Sequence, residues 1–290
     1  MKRTQILSEI LTEEKLLDRI KVENFLLVTL KLRPCSRMNL PAELPNGDSI
    51  GKKIDEKVFP KLRQLQGETD PQKRLAAIAS LKRDMRRAFE TIVLSSEHYK
   101  AHLNWAKKLG LHSRLVAVRP TLSEFYLYND RKIGNRLKRL MREREKLRAK
   151  AYRNATPTMD RVRFAYPEEF EGSWLKEMGR VLGYPDCCVD AYASDRKKGV
   201  NVEQRASQQI ETMERHAEID PLTYFISYFF PCTPNCNEAL SRGREIHERL
   251  RRDSSELGNL YSSIAEENMR TVRHQPEIIA EYRKRANSHH

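Results

Sequence analysis

Cysteine is scarce in this chain, with five in 290 residues. That density is far below a secreted disulfide scaffold, and the odd count points to thiols, metal ligands or redox chemistry in a reducing compartment. Long apolar runs are absent, and no stretch approaches the roughly 20 apolar residues that a membrane span needs. The opening MKRTQILSEILTEEKLL places acidic residues where an export signal would be apolar, so a cytoplasmic location away from membranes is expected. Glycine numbers only 11, and no glycine-rich phosphate loop stands out. Nor does a Ser, His and Asp grouping, an acidic pair, a helix-turn-helix, a zinc finger or a Walker pattern, so no catalytic residue is assigned.

The composition is that of a folded chain: 39% hydrophobic and 32% charged residues. Lys and Arg total 54 against 40 Asp and Glu, a net charge of +14. Such an excess suits a polyanionic partner, nucleic acid before a membrane surface.

Helical spacing dominates. Ile6, Ile10, Leu11, Leu17, Ile20, Phe25 and Leu27 predict one or two helices over residues 4–31. Residues 34–51, with three prolines and Asn46-Gly47, read as loop and hold Cys35. A long helical stretch follows from Pro71 to about Gly110, and residues 114–118 and 122–128 read as short strands or an irregular aromatic segment. Val162–Tyr166 reads as a strand, followed by a helix from Pro167 to Leu182. Gly183-Tyr184-Pro185 stops it, and Asp186 is the expected cap of a helix from Cys187 to Lys198. Further helices are expected over 202–218, 238–252 and onward to about Lys284, with residues 224–230 a buried strand or helix. The fold class is therefore mainly α, an α+β chain with a few short strands, in two helical parts. A basic N-terminal domain spans 1–155 and a cysteine-bearing C-terminal domain 156–290.

Between the two, residues 131–153 carry eleven Lys and Arg against Glu143 and Glu145. Ile133, Leu137, Leu140, Met141 and Leu147 line one side, which predicts a docked helix, broken at Asn154–Pro157, with strongly cationic exposed faces. Arg131, Lys132, Arg136, Lys138, Arg139, Arg142, Arg144, Lys146, Arg148 and Lys150 are the candidate nucleic-acid contacts. RNA, as tRNA or rRNA, is the expected partner, with Phe125, Tyr126, Tyr128 and Tyr152 as candidate stacking platforms.

The remaining cysteines form two pairs 43 residues apart, in Gly183-Tyr-Pro-Asp-Cys-Cys188 and Pro231-Cys-Thr-Pro-Asn-Cys236. Each follows a proline turn where a helix is expected to begin, and a helix N-terminus lowers a thiol's pKa towards the metal-binding thiolate. Cys187, Cys188, Cys232 and Cys236 therefore form one candidate metal or redox site, with His216 and His247 as possible extra ligands. Spacing leaves the cofactor open between zinc and an iron–sulfur cluster. Cys232 and Cys236 have zinc-like spacing, whereas adjacent Cys187 and Cys188 suit several irons better than one tetrahedral ion. A redox or sulfur-transfer enzyme using the four thiols without nucleic acid is the alternative.

Gly183, Tyr184, Pro185, Cys187 and Cys188, then Pro231, Cys232, Pro234 and Cys236, resemble a largely archaeal family defined as a domain of unknown function. The likeness covers about residues 170–245. It implies that the cysteines act as a group, and implies no substrate. A looser likeness is to the cysteine-rich CCG domains of disulfide-reducing iron–sulfur enzymes. Val189 stands where they have glycine, and three residues separate the second pair instead of two.

Overall fold

A computed structural model describes residues 3–156 and 160–288. The chain is mainly helical, with one small antiparallel sheet, and divides into two compact units, 1–131 and 132–290. The division falls at the start of the basic helix and not after residue 155. That helix is held by residues of the second unit: Trp174 donates to its Leu140 carbonyl, and Arg136 and Arg148 reach Glu177 and Glu168.

The first unit opens with α1 (Arg3–Leu11) and a wholly buried π-helical segment, Ile20–Leu26, which continues into α2 (Leu27–Thr29). A strand follows where a loop is expected. β1 (Cys35–Leu40) lies between Pro34 and Pro41, so the prolines bound the strand and leave its own N–H groups intact. It pairs antiparallel with β3 (Leu122–Tyr128), which also pairs with β2 (His112–Arg119), giving the order β1-β3-β2. The buried π segment ties to the edge strand: Asn24 donates to the Arg37 carbonyl at 3.1 Å and Ser36 to the Asn24 carbonyl at 3.0 Å. Between β1 and β2 run α3 (Gly47–Gln66), α4 (Pro71–Phe89), capped by the Asp70 carboxylate, and α5 (Glu97–Lys108), capped by Ser96. Tyr99 of α5 meets Phe125 edge-on at 5.8 Å, and buried Trp105 donates to the Glu13 carboxylate at 3.0 Å.

The second unit takes nearly all of α6 (Arg131–Arg153). The Pro157 expected to help break it lies outside the described residues. The expected strand over 162–166 is instead the helix α7 (Arg161–Ala165), whose start is fixed by Asp160 accepting from Arg163 N–H at 2.8 Å. A 3-10 turn, Pro167–Phe170, leads to α8 (Gly172–Leu182), whose buried Trp174 donates to the Leu140 carbonyl of α6 at 3.0 Å. Gly183 closes α8 at φ +80°, a left-handed cap that glycine adopts without strain. α9 (Asp186–Lys198) follows and packs closely on α8: a Cβ on Gly179 would sit 2.5 Å from a Val189 methyl. Next come α10 (Val202–Glu214), the 3-10 turn Pro221–Tyr224, α11 (Asn237–Asp253) and α12 (Ser255–Ser288). Their core gathers Ala206, Ile210, Ile219, Tyr224 and Val272. The aromatic run after Tyr224 is neither strand nor helix. Its carbonyls are satisfied by side chains of α12, Tyr261 O–H donating to Phe225 at 2.9 Å and Asn268 to Tyr224 at 3.1 Å.

Candidate metal centre

Proline turns position both cysteine pairs. Pro185 is the N-cap of α9, so Asp186 is its first residue and not the cap, and the Asp186 carboxylate instead pairs with Arg180 at 3.0 Å. Cys187 and Cys188 thus lie in the first turn of α9, and the Cys188 N–H closes back on the Pro185 carbonyl at 3.1 Å. Cys236 is the N-cap of α11, and its N–H bonds to the Thr233 carbonyl at 3.1 Å. Cys232 opens the same turn and sends its own N–H to Cys188 Sγ at 3.4 Å.

These turns bring the sulfurs together. Cys187 and Cys188 are 3.7 Å apart, and each lies 3.6 Å from Cys236. With Cys232, all four Sγ atoms fall within 4.8 Å of one another. The adjacent pair therefore reaches one common point, contrary to the difficulty expected of neighbouring thiols. Such a group could hold a metal ion through four soft donors. His216 and His247 do not join it, and Cys35 belongs to the first unit. Cys35 is fully buried in β1, and that burial pushes its thiol up to about 12, the mark of an inert packing residue.

The expectation of four thiols with lowered pKa holds for only part of the site. Burial pushes Cys187 up to about 12, with the neighbouring Cys236 adding to the rise, and burial pushes Cys188 up as well. Cys236 lies below its ordinary value. Burial works against its thiolate, but the Ala239 N–H and the surrounding thiols, all donating to it, outweigh that cost. Four thiols in one pocket cannot all ionise without a cation, because each thiolate raises the pKa of the next.

The surroundings hold the site in place. Arg205 of α10 donates to the Cys232 carbonyl at 3.2 Å while pairing with Asp195 of α9 at 2.7 Å, linking both cysteine-bearing segments. Gln209 reinforces the same carbonyl at 3.4 Å. Cys187, half-buried like Cys232, donates to Glu238 at 3.6 Å. Pro185 and Glu238, which flank it, also line an open cleft of about 440 Å³ with Tyr184, Asn237 and Arg242.

The candidate nucleic-acid contacts separate into two groups. Arg136 and Arg139 both pair with Glu177 of α8, at 2.9 and 3.0 Å, Arg148 donates to buried Glu168 at 3.1 Å, and Arg144 is buried. Those four help dock the helix. Arg131, Lys132, Lys138, Arg142, Lys146 and Lys150 are exposed, as is Arg153, which sequence patterning alone did not single out. The aromatic platforms fare differently. Phe125, Tyr126 and Tyr128 lie buried on the central strand β3, where three strands' worth of pairing and packing claims them, and only Tyr152 is exposed.

Residues 149–261 match the model of a family described as a protein of unknown function (DUF483). The curated "Uncharacterized protein MJ1106" of Methanocaldococcus jannaschii is 29% identical over 69 residues, 23% of this chain and 36% of that protein. The chain thus aligns with about a third of that relative's length. No solved structure matches the chain.

Proposed function

Taking residues 149–261 as a domain of that archaeal-like family of unknown function, we propose that this is an RNA-associated protein whose second unit is organised by one zinc ion on Cys187, Cys188, Cys232 and Cys236. The observation that carries the zinc assignment is the set of sulfur separations. Zn–S bonds of about 2.3 Å in a tetrahedron set sulfurs about 3.8 Å apart. The separations among Cys187, Cys188 and Cys236 are 3.6, 3.6 and 3.7 Å. A [4Fe–4S] cluster puts a different iron under each thiolate and a [2Fe–2S] cluster splits four thiolates two to an iron, so either spreads the sulfurs around a multi-iron body, which this compact group does not suit. Zinc bound here joins the starts of α9 and α11 and neutralises the thiolates that repel one another without it. The RNA reading rests on the exposed cations of α6.

The test is elemental analysis of protein purified without oxygen, beside Cys188→Ser and Cys232→Ser. One colourless zinc per chain, lost in both variants together with thermal stability, is the expected result. Iron with sulfide and visible absorption would replace the zinc assignment with a cluster and favour the redox reading. RNA binding that weakens steeply with salt is expected of the parent protein, and none at low salt would remove RNA from the function.

A further inference from the structure

We infer that the exposed face of α6 bearing Lys138, Arg142, Lys146, Lys150 and Arg153 binds the phosphate backbone of double-helical RNA without reading bases, an inference that rests on the RNA reading above. At about 100° per residue, Lys138, Arg142, Lys146 and Lys150 step round the helix by about 40° each and fill an arc of about 120°. Arg153 falls inside the same arc, while Glu143 and Glu145 fall just outside its two edges. The acids therefore bound the face and do not interrupt it.

All five cations are exposed, and none of the five enters an ion pair with a described residue. The paired cations of the helix, Arg136, Arg139 and Arg148, reach Glu177 and Glu168 instead. The structure thus sorts the charges into some that dock the helix and some left for a ligand. Successive cations of the i, i+4 series rise about 6 Å, and the face runs for about 22 Å, a gently winding band on a rigid rod. A duplex holds its phosphates on a similarly rigid frame and at high density, about one charge per 1.7 Å of axis for double-stranded DNA.

Single-strand binders add aromatic faces on which unpaired bases stack. Of the four candidate platforms, Phe125, Tyr126 and Tyr128 are buried and Tyr152 is exposed, outside the cationic arc. The arc itself carries no aromatic side chain, and phosphates presented by a duplex need none.

The experiment is fluorescence anisotropy with the full zinc-loaded chain. It compares a blunt RNA duplex of about 20 base pairs, the same length of unstructured single-stranded RNA, and vesicles of phosphatidylglycerol as a competing anionic surface. The duplex is expected to bind at least about tenfold more tightly than the single strand, with a log K against log salt slope near −4.5 for five contacts. The triple variant Lys138→Gln, Arg142→Gln, Lys146→Gln should flatten that slope by about 3, while Arg136→Gln, which loosens docking, should leave it unchanged. Equal or tighter binding of the single strand overturns the duplex inference and leaves the RNA reading standing. Binding to neither RNA at low salt, or vesicles that displace the duplex at equal phosphate, overturns both.

Discussion

Cys187 and Cys236 carry opposite acid–base characters although their sulfurs lie 3.6 Å apart. Burial holds the Cys187 and Cys188 thiols protonated at neutral pH, so a metal ion bound by all four cysteines would displace at least those two protons. Zinc affinity should therefore fall by at least about a hundredfold for each pH unit lost near neutrality, at about tenfold per proton. Calorimetry in buffers of different ionisation enthalpy would count the protons, and a count of zero would contradict the protonated pair. His102 offers a second titration, in the first unit. Burial lowers it from 6.5 to about 4, and its Nδ1 contacts the His98 carbonyl at 2.7 Å. The unfolded chain takes up this proton before the folded one does, so the contribution is present above pH 6.5 and lost as pH falls towards 4. The difference is worth up to about 3 kcal/mol. His102→Leu should flatten stability across that window in a denaturant series, and an unchanged acid limb would contradict the assignment.

Elements meet in this protein through glycines as well as apolar stripes. A Cβ on Gly243 of α11 would come 1.9 Å from the Leu222 carbonyl oxygen, a backbone atom that cannot step aside. Gly243→Ala should therefore cost about 3 kcal/mol, within the range of overpacked cores, as read from urea melts. Helices announced themselves wherever apolar spacing and caps agreed, and α6 occupies the residues its pattern marked. Sequence failed where local signals conflicted. Val162, Phe164 and Tyr166 alternate like a strand, yet the Asp160 cap and the half-exposed setting of Val162 and Phe164 make that stretch helical. Prolines around Cys35 resembled a loop because pairing with β3, more than 80 residues away, is invisible in the local pattern. The four cysteines were legible as a group from their turns alone. The convergence of adjacent Cys187 and Cys188 on one point was not, since it depends on the direction of the first turn of α9.

At the scale of the whole molecule, charge and cysteine chemistry meet in the second unit, which holds the four-cysteine group and the exposed stripe of α6. Chelation should lower its thermal midpoint by several degrees and restore it on adding zinc, since a ligand bound only to the folded state stabilises it by mass action. The fold also distributes its two tryptophans one to each unit: Trp105 buried on α5, Trp174 buried on α8, the helix that packs against α9 with Cys187 in its first turn. Each indole donates to a partner of its own unit, Glu13 or the Leu140 carbonyl. In Trp105→Phe protein, the remaining emission should shift red and quench when zinc is withdrawn. In Trp174→Phe protein it should stay still until the first unit melts. Two native fluorophores thus give the chain an optical channel in each unit, with no label added.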